Sequence, residues 1–221
     1  FYSCEVQQHK NIEKKINKLT RKDIKGNIMA TDTKISRKQQ ILETLANMLE
    51  QPKREKITTA SLAAKLDLSE AALYRHFASK AQMFEGLIDF IELSIFGIIN
   101  KITTDEKDGA KQVQLIVNML LKFAEKNPGM TRVLIGDALV NEEEHLQTRI
   151  NQLYDRLEAS LKQSLKIAVA KDGNGVGKKI MPEAQANLMI CYVIGRWHQY
   201  AKSGFKRRPT NLAEQQLALL N

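Results

Sequence analysis

The chain has 221 residues, 34 Lys and Arg against 25 Asp and Glu, a formal net charge of +9, and 43% hydrophobic residues, enough to fill one sizeable core or two smaller ones. Four prolines and 6% aromatics, beside abundant Leu, Ile, Ala, Lys, Glu and Gln, favour long helices over sheets, so the expected fold class is all-α. No apolar run is long enough to span a bilayer, the lysine-rich start has no hydrophobic signal core, and Cys4 and Cys191 have no metal or redox spacing. A reduced, cytoplasmic setting is therefore expected, and a disulfide scaffold or membrane span is not.

Phe1–Ile28 is polar, with seven Lys/Arg against three Asp/Glu and only a weak apolar repeat at Ile12, Ile16 and Leu19. It reads as a disordered extension of residues 1–28 or a loosely attached helix. Met29 follows as a candidate biological start.

Ser36 is placed to cap a first long helix whose Ile41, Leu42, Leu45, Met48 and Leu49 form one stripe, and Arg37 and Lys38 at its start can reach phosphate. Gln51-Pro52-Lys53-Arg54 ends it. In Thr58–Phe84, small and apolar residues fall where two short helices at an angle need them. Thr58 or Thr59 caps the first, with Leu62, Ala63 and Leu66 inward; Asp67-Leu68-Ser69 interrupts; Ser69 caps the second, with Glu70 in its first turn. At about 100° per residue Leu73 and Phe77 share one face, Ala71 and Arg75 lie opposite, and Tyr74 and His76 flank them.

This is the pattern of a helix-turn-helix. Arg75 can fork onto guanine O6 and N7, the Ala71 methyl can meet a thymine methyl, and Tyr74, His76 and Lys80 would lie near phosphates. An ordinary helical hairpin is the plainer reading. Against it stand the small Ala71 and Ala72 and the charge: residues 34–80 carry nine basic against five acidic groups, nearly all the excess of the main chain. The candidate DNA-facing set is Arg37, Lys38, Thr58, Thr59, Ser69, Ala71, Ala72, Tyr74, Arg75, His76 and Lys80.

Ser79-Lys80-Ala81-Gln82 has capping-box spacing and opens a long helix through Phe84, Leu87, Ile88, Ile91, Ile95, Ile98, Ile99 and Ile102, which would link a head (29–80) to a helical body (81–221). Asp105–Gly109 is a turn. Val113–Phe123 reads as a helix buried on most sides, Asn127-Pro128-Gly129 breaks it, and a shorter helix is expected to run to Val140. Asn141 with Glu142, Glu143 and Glu144 reads as a cap with acids in a first turn rather than a metal site, since no histidines converge with His145. A long helix follows from His145 to about Lys171. The glycine-rich stretch from Asp172 to Lys179 lacks the glycine-lysine-hydroxyl ending of a phosphate loop and reads as a flexible loop. Pro182 opens a helix with Leu188, Cys191 or Tyr192, Ile194 or Gly195, and Trp197 as a broad apolar surface, and Leu212–Leu220 closes the chain. That surface and the last leucines exceed what a monomer leaves exposed, so a dimer is expected. The scattered His9, His76, His145 and His198 and the lack of a nucleophile motif argue against an enzyme, and neither a metal nor a cofactor is expected.

Ile57-Thr58-Thr59, Leu62-Ala63, Leu68 through Phe77 and Ser79-Lys80, with the spacing Tyr-x-His-Phe-x-x-Lys, resemble the DNA-binding head of TetR-type transcriptional regulators. Glu125-Lys126-Asn127-Pro128-Gly129 and Arg149-Ile150-Asn151-Gln152-Leu153 further resemble the nucleoid-occlusion inhibitors of cell division within that family, and the likeness runs from Ser36 to Pro209. It implies a homodimer on a palindromic DNA site that antagonises the division protein FtsZ over the nucleoid. It also implies that a cleft between the head-connecting helix and the next takes the FtsZ C-terminal tail, with Phe90, Met119, Lys122, Lys126 and Asn127 at the matching positions. Apolar Phe90 and Met119 and basic Lys122 and Lys126 suit a peptide with apolar and acidic residues. The chain departs from that pattern at Ile98, where arginine is expected, and at Lys122, where glycine is. A small-molecule-responsive TetR-type repressor and a helical adaptor without DNA remain the alternatives.

Overall fold

The computed structural model describes residues 36–51, 57–172 and 181–220. The expectations for residues 1–28, Met29, Pro52-Lys53-Arg54 and the glycine-rich loop beyond Asp172 lie outside them. The described residues form α1 (Arg37–Leu49), α2 (Thr59–Lys65), α3 (Glu70–Tyr74), α4 (Lys80–Asp105), α5 (Gly109–Lys126), α6 (Pro128–Leu134), α7 (Glu144–Asp172), α8 (Pro182–Lys202) and α9 (Ala213–Leu220). No strand occurs among them.

The three-helix head starts on α1, whose Ile41, Leu45 and Leu49, one turn apart, are buried. α2 opens with a reciprocal capping box: Thr58 Oγ1 accepts from the Ser61 amide and Ser61 Oγ from the Thr58 amide, each at 3.1 Å. Between α2 and α3 Asp67 takes φ 53°, a left-handed turn residue that Asp tolerates better than most side chains. Ser69 Oγ accepts from the Ala72 amide at 3.1 Å to start α3. Leu62, Ala63, Leu73 and Phe77 then close the small core against α1.

At the head of α4, Ser79 Oγ accepts from the Gln82 amide, while Gln82 Oε1 accepts from Ala78, one residue before the cap. α5 starts at Gly109, four residues before the expected Val113, because Asp108 Oδ1 accepts from the amides of Ala110 and Lys111. A Cβ on Gly109 would lie 2.2 Å from the Ser164 carbonyl oxygen, so glycine lets α5 touch the α7 backbone. α5 is central: Ile116, Val117, Met119, Leu120, Leu121, Phe123 and Ala124 are all at 0% exposure. Its buried polar groups are satisfied, with Ser164 Oγ donating to Gln112 Oε1 (2.8 Å) and Gln112 Nε2 to the Glu106 carbonyl (2.7 Å).

Three expectations are corrected. α6 stops at Leu134 instead of reaching Val140, since the Gly136 amide turns back to the Val133 carbonyl and Gly136 takes φ 75°. Asn141 does not cap α7: it sits at φ 65° in the preceding turn, and the helix begins at Glu144. The apolar surface of α8 divides in two. Trp197 is fully buried and its Nε1 donates to the Leu120 carbonyl (3.1 Å), whereas Leu188, Cys191 and Gly195 point outward.

From Arg37 onward head and body form one unit. A Cβ on Gly129, in the first turn of α6, would lie 2.0 Å from the Ala46 carbonyl oxygen of α1. The body thus docks on the head backbone to backbone.

Candidate nucleic-acid interface

α3 presents Ala71, Tyr74 and Arg75 to solvent, with Tyr74 45% exposed, while Leu73 behind them is at 0%. The reading face and the packing face are therefore two sides of one five-residue helix. That helix is held by its cap and by a cross-link: the Thr59 hydroxyl donates to the Glu70 carboxylate at 2.6 Å, tying the start of α2 to the start of α3. Thr58 and Ser69 are exposed, but their hydroxyls are already engaged as caps. His76 is half-buried at the end of α3.

Arg37 and Lys38 are exposed at the first turn of α1. Arg37 Nη1 donates to Gln40 Oε1 (2.8 Å), and the Lys38 ammonium lies 5.6 Å from the centre of the Phe77 ring, a cation–π contact that brings the start of α1 beside the end of α3. Lys65, exposed in the last turn of α2, is a further basic group of the head, and a lysine at a helix C-terminus is its signal in the sequence.

Two of the DNA-facing expectations are corrected. The Ala72 side chain is only 9% exposed and packs inward, so its methyl supports α3 and does not read a base. The Lys80 ammonium, expected at phosphate, is held by the Glu142 carboxylate in the loop before α7 and lies over the Phe84 ring. It fastens the head end of α4 to the body.

Further along, α4 and α7 are laced on their outer side. His145 lies 2.7 Å from Glu85, Arg149 donates to Asp89 (2.8 Å) and Glu92 (3.2 Å), and Arg156 reaches Glu92 (3.0 Å) and stacks 3.9 Å from the centre of the Phe96 ring. Burial works against the Arg149 charge, but Asp89 and Glu92 outweigh it and raise its pKa above the ordinary value. The strut between head and body is thus pinned along about three turns.

The peptide-cleft residues divide. Phe90 and Lys122 are half-buried and Lys126 is exposed, whereas Asn127 Nδ2 donates to the Phe123 carbonyl (2.8 Å) and closes α5. Met119 is corrected: at 0% exposure it belongs to the core and offers no surface to a peptide. Ile98, 5% exposed, is core as well. Leu93, 72% exposed one turn beyond Phe90, was missed because it lies off the apolar stripe of α4.

Comparison with known proteins decides the family. The family model described as bacterial regulatory proteins, tetR family, matches residues 41–87, and that of the tetracyclin repressor-like C-terminal domain matches residues 107–221. The nucleoid occlusion factor SlmA of Alteromonas mediterranea is 50% identical over 185 residues, 84% of this chain and 94% of that protein. The chain belongs to the TetR family. SlmA of Shewanella amazonensis is 49% identical over 189 residues, 85% of this chain and 94% of its own, and this degree of likeness supports nucleoid occlusion as the function within the family. In fold, the ketosteroid transcriptional regulator KstR2 of Mycobacterium tuberculosis superposes with TM-score 0.67 at 16% identity, over 85% of this chain and 94% of its own. The tetR-family regulatory model thus covers most of the head, with its exposed α3, and the start of α4. No helix among the described residues is long and apolar enough to cross a membrane, and none of their His, Cys, Asp and Glu side chains cluster as metal ligands.

Proposed function

We propose that the protein acts in the cytoplasm on the nucleoid, as a homodimer whose two α3 helices read a palindromic site and which, so bound, restrains FtsZ assembly. The observation that carries the DNA half is the pair of faces on α3: Ala71, Tyr74 and Arg75 outward, Leu73 buried behind them, on a head with four more basic than acidic groups over residues 34–80. Arg75 is the base reader, and Arg37, Lys38 and Lys65 surround it as phosphate contacts. The dimer is supported by the outward face of α8, with Leu188 50% exposed, Cys191 exposed and open space at Gly195. A two-fold pair there would set the reading helices about 34–36 Å apart, one DNA turn.

The FtsZ half rests on the likeness to nucleoid occlusion factors, and its contact set becomes Phe90, Leu93, Lys122 and Lys126. Leu93 takes the apolar role that Met119 cannot fill.

Arg75→Ala is expected to cost about 1–3 kcal/mol on a cognate duplex and far less on random DNA. Equal losses on both would make Arg75 a phosphate contact and remove the base-reading role. For the division half, a labelled FtsZ tail peptide titrated against wild type and Lys126→Glu should lose affinity with the charge reversal. Absence of binding, or indifference to Lys126→Glu, returns the protein to a plain TetR-type regulator.

A further inference from the structure

Where the head meets the body there is a cavity of about 310 Å³, bounded by the end of α1, the start of α4 and the loop between α6 and α7. That volume is at the lower end of what small-molecule sites enclose, roughly 300–1,000 Å³. Leu49, Ile57, Phe84 and Val140 supply apolar wall. Four charged side chains also line it: Lys80, Arg132, Asp137 and Glu142. Lys80 is paired with Glu142, and Asp137 with Lys202.

Arg132 is different. It is 8% exposed, its guanidinium lies 5.2 Å from the centre of the Phe205 ring, and no carboxylate among the described residues reaches it. Its Nε is buried with no hydrogen-bond partner among them. A buried guanidinium left in that condition is costly, because desolvation is offset only when each charged donor meets an acceptor. The aromatic face of Phe205 lies against one side of the group, and the terminal Nη donors have no carboxylate among the described residues.

We propose that this cavity binds a small amphipathic carboxylate, its two oxygens on the guanidinium edge of Arg132 and its short hydrocarbon chain against Leu49, Ile57, Phe84 and Val140. The planar fork of arginine matches a carboxylate, which accepts from the two terminal Nη groups together, Nε being buried out of reach. A carboxylate suits the site better than a phosphate: one negative charge neutralises Arg132, whereas a second would lie beside Asp137 and Glu142 on the same wall. The mixed lining of apolar surface with one convergent charge is the arrangement that orients a chain-bearing acid. The site goes beyond the nucleoid-occlusion reading and does not require it.

The test is calorimetric titration of hexanoate into the full DNA-free chain, with hexanol and inorganic phosphate as companion probes, on wild type, Arg132→Met and Ala138→Leu. Ala138 lines the same cavity, so the larger side chain fills it while the guanidinium stays. Saturable one-to-one binding of hexanoate is expected, weakened about tenfold or more by each variant, with hexanol and phosphate at least as much weaker on wild type. No saturable heat with hexanoate, hexanol as tight as hexanoate, phosphate tighter than either, or an affinity indifferent to the variants would each overturn the proposal. Should Arg132→Met fail to fold, Ala138→Leu decides: unchanged hexanoate affinity in that variant places the acid elsewhere and sinks the site.

Discussion

In the head, α2 and α3 run 7 and 5 residues, while α4, α5 and α7 of the body run 26, 18 and 29. Isolated helices below about 12–15 residues are marginal in water, so α2 and α3 owe their existence to caps, to the Thr59–Glu70 cross-link and to a few buried side chains. The body helices bury long apolar faces, ten residues on α4 alone, and their ends matter less. A helix this short needs most of one face for anchorage, so in the proposed reading role it gives DNA only a few side chains, Ala71 and Tyr74 with Arg75 just beyond its end. The body can spare outward faces for partners.

The comparison breaks most visibly by removing one leucine from each part. Leu73 and Leu153 are both at 0% exposure, and truncating either to alanine is expected to cost about 2–5 kcal/mol. In the head that loss falls on a core of few residues. Leu73→Ala should therefore strip hydrogen-exchange protection from α2 and α3 and abolish DNA binding while α5 and α7 stay protected. Leu153→Ala should lower protection across the body. Uniform loss in both variants would mean that the head has no separate weakness.

Two glycines sharpen the same contrast at intermediate size. A Cβ at Gly129 would stand 2.0 Å from the Ala46 carbonyl oxygen, and one at Gly109 would stand 2.2 Å from that of Ser164 and 2.4 Å from the Ala168 nitrogen. Neither neighbour is a flexible side chain, so backbone must move, at about 1–3 kcal/mol or more. Gly109→Ala strains a contact within the body and should shift a single melting transition. Gly129→Ala strains the docking of body on head, and should split the melt or weaken DNA binding at temperatures where the body is folded. The docking contact would be unimportant if Gly129→Ala bound DNA as wild type does.

The difference between the parts also explains what could be read from the chain. Ser69, Ser79 and Pro182 were legible, and the cap of α2 was narrowed to Thr58 or Thr59, because capping is chemistry between residues three or four apart. The all-α class followed from composition, and the extent of α4, α7 and α9 from apolar spacing. Partnership across the chain did not. Lys80 looked like a phosphate contact, yet its acid is Glu142, 62 residues on. Met119 looked available because periodicity tells which side of a helix is apolar, not how many neighbours it has; α5 is packed by α4, α6, α7 and α8 together. Trp197 fell into one broad surface with Leu188 for the same reason, although one faces α5 and the other solvent. The cavity beside Arg132 was out of reach altogether, because its walls come from four separate stretches of sequence.

The smallest effect concerns the charge at the head–body contact. Glu50 follows α1 and lies against Gly129; partial burial raises its pKa above the ordinary 4.5, and the Gly129 amide pulls it down by less. A carboxyl raised in the folded state contributes stability when protonated, a contribution present below about 4.5 and lost as pH rises through the raised native value. At neutral pH the folded protein therefore carries the unfavourable, ionised form. Glu50→Gln removes that charge and keeps an oxygen able to accept from the Gly129 amide. The variant should melt slightly higher than wild type near pH 7, and the gap should close as pH falls to about 4.5 and below, with other titrating groups cancelling in the difference. If Glu50→Gln melted lower than wild type at neutral pH, the carboxylate's bond to Gly129 would outweigh its burial, and the head would be held to the body by a charged contact as well as by close backbone packing.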